Sequence, residues 1–175
     1  RLPSQDDIRN STNGQDMLNI INNDYDENFT LVTGCPGSGK TTVSIFRLIR
    51  LAKNGKSTIL LTYQRMLKVA NENLLAKQGI SSSKVNTIHS WFPKTTGKLL
   101  GFSNQDNKLS ASEIENALRG KVGNMELILD EAQDLEERVF QAFPKVFGRI
   151  TIGADNDQKM KDSDGSDEKT ILNYI

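Results

Sequence analysis

The sequence predicts a three-layer α/β domain, a mostly parallel five-strand sheet with helices on both faces. Three observations predict it. Short apolar runs alternate with longer stretches of helical periodicity, the pattern of strands joined by crossover helices. A glycine-rich segment, Gly34 to Thr41, separates one such run from one such stretch. A nearly all-apolar run, Met125 to Leu129, ends in two acids, Asp130 and Glu131.

The elements follow in order. Residues 14–22 hold Met17, Leu18, Ile20 and Ile21 and form a helix. Phe29 to Thr33 is a short strand, and Gly34 to Gly39 is the loop leaving it. Lys40 to Lys53 is a helix whose Val43, Phe46, Leu48, Ile49 and Leu51 make a broad buried face, and Asn54-Gly55 stops it. Ser57 to Thr62 is the second strand. Gln64 to Gln78 is a helix with Leu67, Ala70 and Leu74 on one side, ended by Gly79. Lys84 to His89 is the third strand, and residues 93–110 are a polar surface excursion. Ser110 and Glu113 form a capping box for a short helix to Leu118. Met125 to Leu129 is the fourth strand, and its lack of polar alternation makes it central. Leu135 to Phe147 is a helix that Pro144 ends or bends. Arg149 to Gly153 is the fifth strand, and the charged stretch 159–169 is a solvated loop or linker.

Length and charge bound the function. A chain of 175 residues accommodates one domain with a sizeable core. Twenty-two basic and 22 acidic residues cancel, so the chain has no basic coat for tight, sequence-blind binding of nucleic acid, although a local basic groove is compatible with that balance. The single cysteine, Cys35, allows no internal disulfide and favours a reducing, intracellular compartment such as the cytoplasm. No apolar run approaches the roughly 18 residues that span a bilayer. The start at Arg1 and the apolar run Ile171 to Ile175 suggest a piece of a longer protein, with 1–158 as the domain and 159–175 as a linker and the start of a continuation.

Gly34-Cys35-Pro36-Gly37-Ser38-Gly39-Lys40-Thr41 fits G-x-x-x-x-G-K-[ST] at every fixed position, with Thr42 following. Glycines permit the backbone angles that let amide N–H groups wrap phosphate oxygens, and the next helix points its positive end at the same anion. Lys40 is expected to reach the β- and γ-phosphates of ATP, and the Thr41 hydroxyl to ligate Mg²⁺. The bland alternative is a flexible glycine turn, which the flanking strand and helix disfavour. Asp130 ends a central strand, where ligands bind in this class of sheet. It is expected to hold the metal, with Glu131 orienting or deprotonating the attacking water. The alternative is two acids opening a helix, where the dipole favours them.

These blocks resemble the superfamily 1 helicases of the UvrD/Rep-like group over most of the chain. Gly34 to Thr41 resembles motif I, Ile59 to Arg65 motif Ia, Val85-Asn-Thr-Ile-His-Ser90 the T-F-H-S block, Asp130-Glu-Ala-Gln-Asp134 motif II, and Gly153-Ala-Asp-Asn-Asp-Gln158 motif III. Leu2-Pro-Ser-Gln5 is similar to the adenine-reading glutamine motif. The resemblance implies a RecA-like P-loop NTPase fold, with the strand before motif III between the cradle strand and the motif II strand. It places Gln5 on adenine, Gln158 near the γ-phosphate, and Thr62, Tyr63, His89 and Ser90 along single-stranded nucleic acid. Trp91 and Phe92 fit base stacking or core packing equally. The sequence departs from the group after Gln158, where Lys159-Met160-Lys161-Asp162 has no aromatic, and it lacks a large insertion before motif II. The expected function is the first motor domain of an ATP-dependent DNA helicase or translocase, working with a second RecA-like domain of its parent chain. Action on RNA and a nucleotide-gated binding or regulatory module are the alternatives.

Overall fold

Alternation within the apolar runs decides the architecture. In the second strand Ile59 and Leu61 face one way and Leu60 the other. In the fourth, Leu127 and Leu129 oppose Ile128. All are buried, so both faces of the sheet need cover. The structure is a computed structural model and describes residues 5–11, 13–22, 28–35, 37–101, 108–155, 166 and 168–174.

Its elements are α1 (Gln5–Arg9), α2 (Gly14–Asn22), β1 (Phe29–Thr33), α3 (Lys40–Lys53), β2 (Thr58–Thr62), α4 (Arg65–Ala76), β3 (Val85–Thr87), α5 (Ile88–Thr96), α6 (Ala111–Leu118), β4 (Glu126–Asp130), α7 (Glu137–Ala142), β5 (Arg149–Ala154) and α8 (Glu168–Leu172). The strand order is β1-β5-β4-β2-β3, and every pairing is parallel. β5 therefore lies between the cradle strand and β4, the order that the motif blocks imply, and β4 is central.

Helices α3 and α4 cover one face through Ile45, Leu48, Ile49 and Leu75. Helices α5 to α8 cover the other through Phe92, Ile114, Phe140 and Ile171. Ile8, Leu18 and Ile21 of α1 and α2 close over Val43 of α3. At the amino end of the sheet, Arg47 of α3 donates from Nε to Glu126 Oε1 at 2.6 Å and from a terminal nitrogen to the Ile20 carbonyl at 2.7 Å. One guanidinium thereby joins α2, α3 and β4 inside the fold. Ser110 caps α6 in a full capping box with Glu113, whose carboxyl the Ser110 N–H holds below its usual range.

Several expected elements are corrected. The third strand stops at Thr87, whose side chain accepts the Ser90 N–H and caps α5, so His89 sits on a helix. A three-residue edge strand paired only to β2 gives way once a threonine offers a cap. Helix α5 also carries the first residues of the expected excursion. In α4 the buried positions are Asn71 and Leu75, while Ala70 is exposed; the Leu67 side chain lies outside the described residues. The long helix at 135–147 is two pieces, α7 and a 3₁₀ turn at Phe143–Lys145 that Pro144 opens. The apolar run at Ile171 divides: Ile171 is fully buried in the main core, whereas Leu172 is exposed. Of the stretch expected to be a solvated loop, Ser166 is buried and its N–H donates to the Leu135 carbonyl; residues 159–165 and 167 lie outside the described residues.

Candidate nucleotide site

Strand β1 ends at Thr33 and α3 begins at Lys40, so the chain must turn sharply between a sheet and a helix axis. Gly39, the residue before α3, takes φ 94° and ψ 14°, a left-handed conformation that a side chain resists. No side chain caps α3, so its first-turn N–H groups are left for an anion held in the loop. Cys35 is exposed, and Ser38 N–H donates to the Cys35 carbonyl at 3.1 Å. Thr42 is half-buried beside Thr41 on the same turn. Pro36, Gln158 and the Gln5 side chain, all expected at this site, lie outside the described residues.

Asp130 closes the central strand with its side chain inside the protein, 1% exposed. Thr41 and the Glu131 backbone N–H both hydrogen-bond its carboxyl, yet burial prevails and pushes its pKa up to about 6, with Glu131 adding to the rise. Oδ2 has no hydrogen-bond partner among the described residues. Position 153 on the neighbouring strand is glycine, where a Cβ would stand 3.3 Å from Asp130 Oδ1. A buried carboxylate oxygen without a donor, beside a threonine hydroxyl and the α3 N-terminus, suits a hard divalent cation. Such an ion would also favour the charged carboxylate that burial opposes. The residues therefore fit Mg²⁺, with Thr41 and Asp130 as its protein ligands.

Glu131 leaves the strand at φ 56° and ψ 44°, the sole positive φ of a non-glycine among the described residues. That backbone, worth about 1 kcal/mol or more of strain, turns the chain into the 3₁₀ turn Ala132–Asp134. Gln133 Nε2 donates to Glu131 Oε2 at 2.5 Å, and Gln133 Oε1 accepts the Asp155 N–H at 3.0 Å. Lys40 Nζ donates to Asp155 Oδ2 at 3.1 Å. Four residues at the carboxyl ends of β4, β5 and the cradle are thus linked. Gln133 and Asp155 fall within the motif II and motif III blocks, but a buried Gln between two acids has no linear signature.

The expected nucleic-acid residues divide. Tyr63 and His89 are half-buried and meet edge to face, ring centroids 5.5 Å apart. Burial, then the Arg138 charge, holds the His89 pKa below its usual 6.5. Ser90 is half-buried with its N–H in the α5 cap. Thr62 corrects the expectation: it is 1% exposed, paired in register with Asp130 and Thr87, so its side chain is withdrawn from any surface. Trp91 packs on Phe143 and Phe147 in the core, not on a free surface.

Comparison with known proteins adds identity to this geometry. A curated relative, the RecBCD enzyme subunit RecD of Buchnera aphidicola subsp. Schizaphis graminum, is 28% identical over 92% of this chain. The chain spans 30% of that relative's length. A solved structure, the pCW3 conjugation coupling protein TcpA in monomer form with ATPγS, is 15% identical at a TM-score of 0.45, over 84% of this chain and 46% of that one. The relative carries the superfamily 1 helicase-like reading of the blocks without selecting the UvrD/Rep-like group. A family described as an AAA domain matches residues 18–163, the stretch that holds the cradle, both acids and Asp155. The chain belongs to this AAA domain family, and its fold is an α/β domain with a P-loop.

Proposed function

We propose that this domain binds MgATP at Gly34–Thr42 and hydrolyses it as the first motor domain of a DNA helicase or translocase. The observation that supports it best is Asp130, buried beside Thr41 with one carboxylate oxygen unpartnered among the described residues. Asp134 also keeps an oxygen without a partner among the described residues, but it is Asp130 that Thr41 of the cradle hydrogen-bonds.

The protein's own groups would act as follows. The α3 N-terminus and the loop N–H groups hold the phosphates. Lys40 turns from its present acceptors to a phosphate oxygen. Thr41 and Asp130 hold Mg²⁺, which when bound neutralises charge on the phosphates. Glu131, next to Asp130 and held by Gln133, would take the proton of the attacking water. Tyr63, His89 and Ser90 lie where β2 and β3 end and would meet a single strand, as the motif resemblance implies. Gln158 would couple that strand to the γ-phosphate. A second RecA-like domain would supply a cation across the cleft, an effect worth roughly 10³ to 10⁵ in rate.

Hydrolysis measured with and without single-stranded DNA and RNA, on this chain and on the longest available parent chain, tests this; residues 1–175 by themselves are expected to hydrolyse ATP slowly at best, so the outcomes are read on the parent. Stimulation by DNA supports the reading, stimulation by RNA alone transfers it to RNA, and nucleotide binding without stimulated turnover leaves a nucleotide-gated module. No unwinding is expected of residues 1–175 by themselves, so a strand-displacement assay is expected to be negative for this chain.

A further inference from the structure

Lys40 is fully engaged. An ammonium has three N–H donors, and Lys40 Nζ gives them to the Gly34 carbonyl at 2.5 Å, the Cys35 carbonyl at 3.0 Å and Asp155 Oδ2 at 3.1 Å. The ion pair is inside the protein, with the two side chains 10% and 1% exposed. Asp155 follows directly on β5 and is fixed from behind, because its N–H donates to Gln133 Oε1 at 3.0 Å. Gln133 is itself 2% exposed and holds Glu131 with its other end.

A phosphate oxygen can gain a Lys40 donor only by displacing one of these three acceptors. The carbonyls are neutral and belong to the cradle itself. Asp155 is an anion that would share one ammonium with a second anion, in a buried setting where like charges repel strongly. We propose that Asp155 is a positioning residue that competes with the nucleotide phosphates for Lys40, and that Gln133 keeps it in place to do so. Asp155 thereby sets nucleotide affinity from within the site, lowering it. This rests on the reading of the cradle as an ATP site.

Titration calorimetry on the 175-residue chain tests it, with ADP in EDTA and with a non-hydrolysable ATP analogue in Mg²⁺. Asp155→Asn is expected to tighten binding in both conditions, on the order of 10-fold, the scale of one charge-assisted hydrogen bond. In a Lys40→Met background the same substitution is expected to have little effect, since no ammonium remains to be released. Gln133→Ala, which loosens Asp155, is expected to tighten binding in the same direction by less. Equal tightening in both backgrounds would mean plain repulsion of phosphate and would overturn the competition. So would unchanged or weaker binding by Asp155→Asn, or tightening confined to the Mg²⁺ arm. Should Asp155→Asn not fold, Asp155→Ser takes its place with the same expectations. Loss of binding in Lys40→Met alongside a neutral Asp155→Asn sinks only the competition, whereas no binding by the unmodified chain sinks the ATP reading with it.

Discussion

Strand β4 carries a buried acid at each end, and the two are treated differently. Glu126, at the amino end, is 6% exposed and receives the Arg47 guanidinium at 2.6 Å and the Thr151 hydroxyl at 3.4 Å. Asp130, at the carboxyl end, is 1% exposed and keeps an oxygen without a partner among the described residues. One strand thus delivers a satisfied charge to one edge and an unsatisfied one to the other. The first holds three elements together. The second stores an unmet demand for positive charge, which suits a residue whose partner arrives with a ligand.

The largest effect should come from the satisfied end. Arg47→Ala strands a buried carboxylate and is expected to destabilise the fold by about 3–5 kcal/mol, read as a lower urea midpoint. Adding Glu126→Gln should recover much of that loss; if it does not, the pair is not what holds this end. Next comes Glu131→Gln, which should keep nucleotide affinity and cut turnover roughly 10²-fold in any form of the protein able to hydrolyse ATP. A parent-like rate would remove Glu131 as the base. Asp130→Asn should reverse the usual sign of a core substitution. It should stabilise the fold at pH 7 by on the order of 1–2 kcal/mol, read as a higher urea midpoint, while abolishing the Mg²⁺ dependence of nucleotide binding. A fall in stability would show Asp130 to be as structural as Glu126.

The smallest effect concerns His89. Burial holds its pKa below the usual 6.5, so the unfolded chain takes up a proton more readily than the folded one. Its contribution to stability is present above pH 6.5 and is lost as pH falls through that value toward the lowered one. His89→Gln should flatten the decline in urea midpoint between about pH 7 and pH 5. An unchanged decline would assign the acid sensitivity to other groups.

What the sequence disclosed follows from where information is local. The run Leu127-Ile128-Leu129 is apolar on both faces, which only a central parallel strand requires, and β4 is that strand. Ser110 and Glu113 satisfy each other within one turn, so their cap is legible from spacing alone. The boundary at Thr87 was not, because a threonine ending a strand and one capping a helix look alike in sequence. The face of α4 is illegible for another reason: a polar residue, Asn71, is buried with Leu75 while Ala70 is exposed. Within the site, residues on one loop were readable as a set. Gln133's bridge to Asp155 joins segments 22 residues apart, and Lys40's ion pair joins segments 115 apart. Contacts of that kind depend on strand order, which no short motif spells out.

The insertion of β5 between β1 and β4 has a consequence for biosynthesis. Leu31 pairs with Ile152, so β1 must wait for about 120 residues to be made before it has a neighbour in the sheet. At translation rates of about 5–20 residues per second that is roughly 6–24 s of exposure. Over that interval β2, β3 and β4 can already associate, because their partners lie closer in the chain. The phosphate loop, anchored to β1, is therefore among the last parts to be fixed. A nascent chain would complete this loop only at the close of folding.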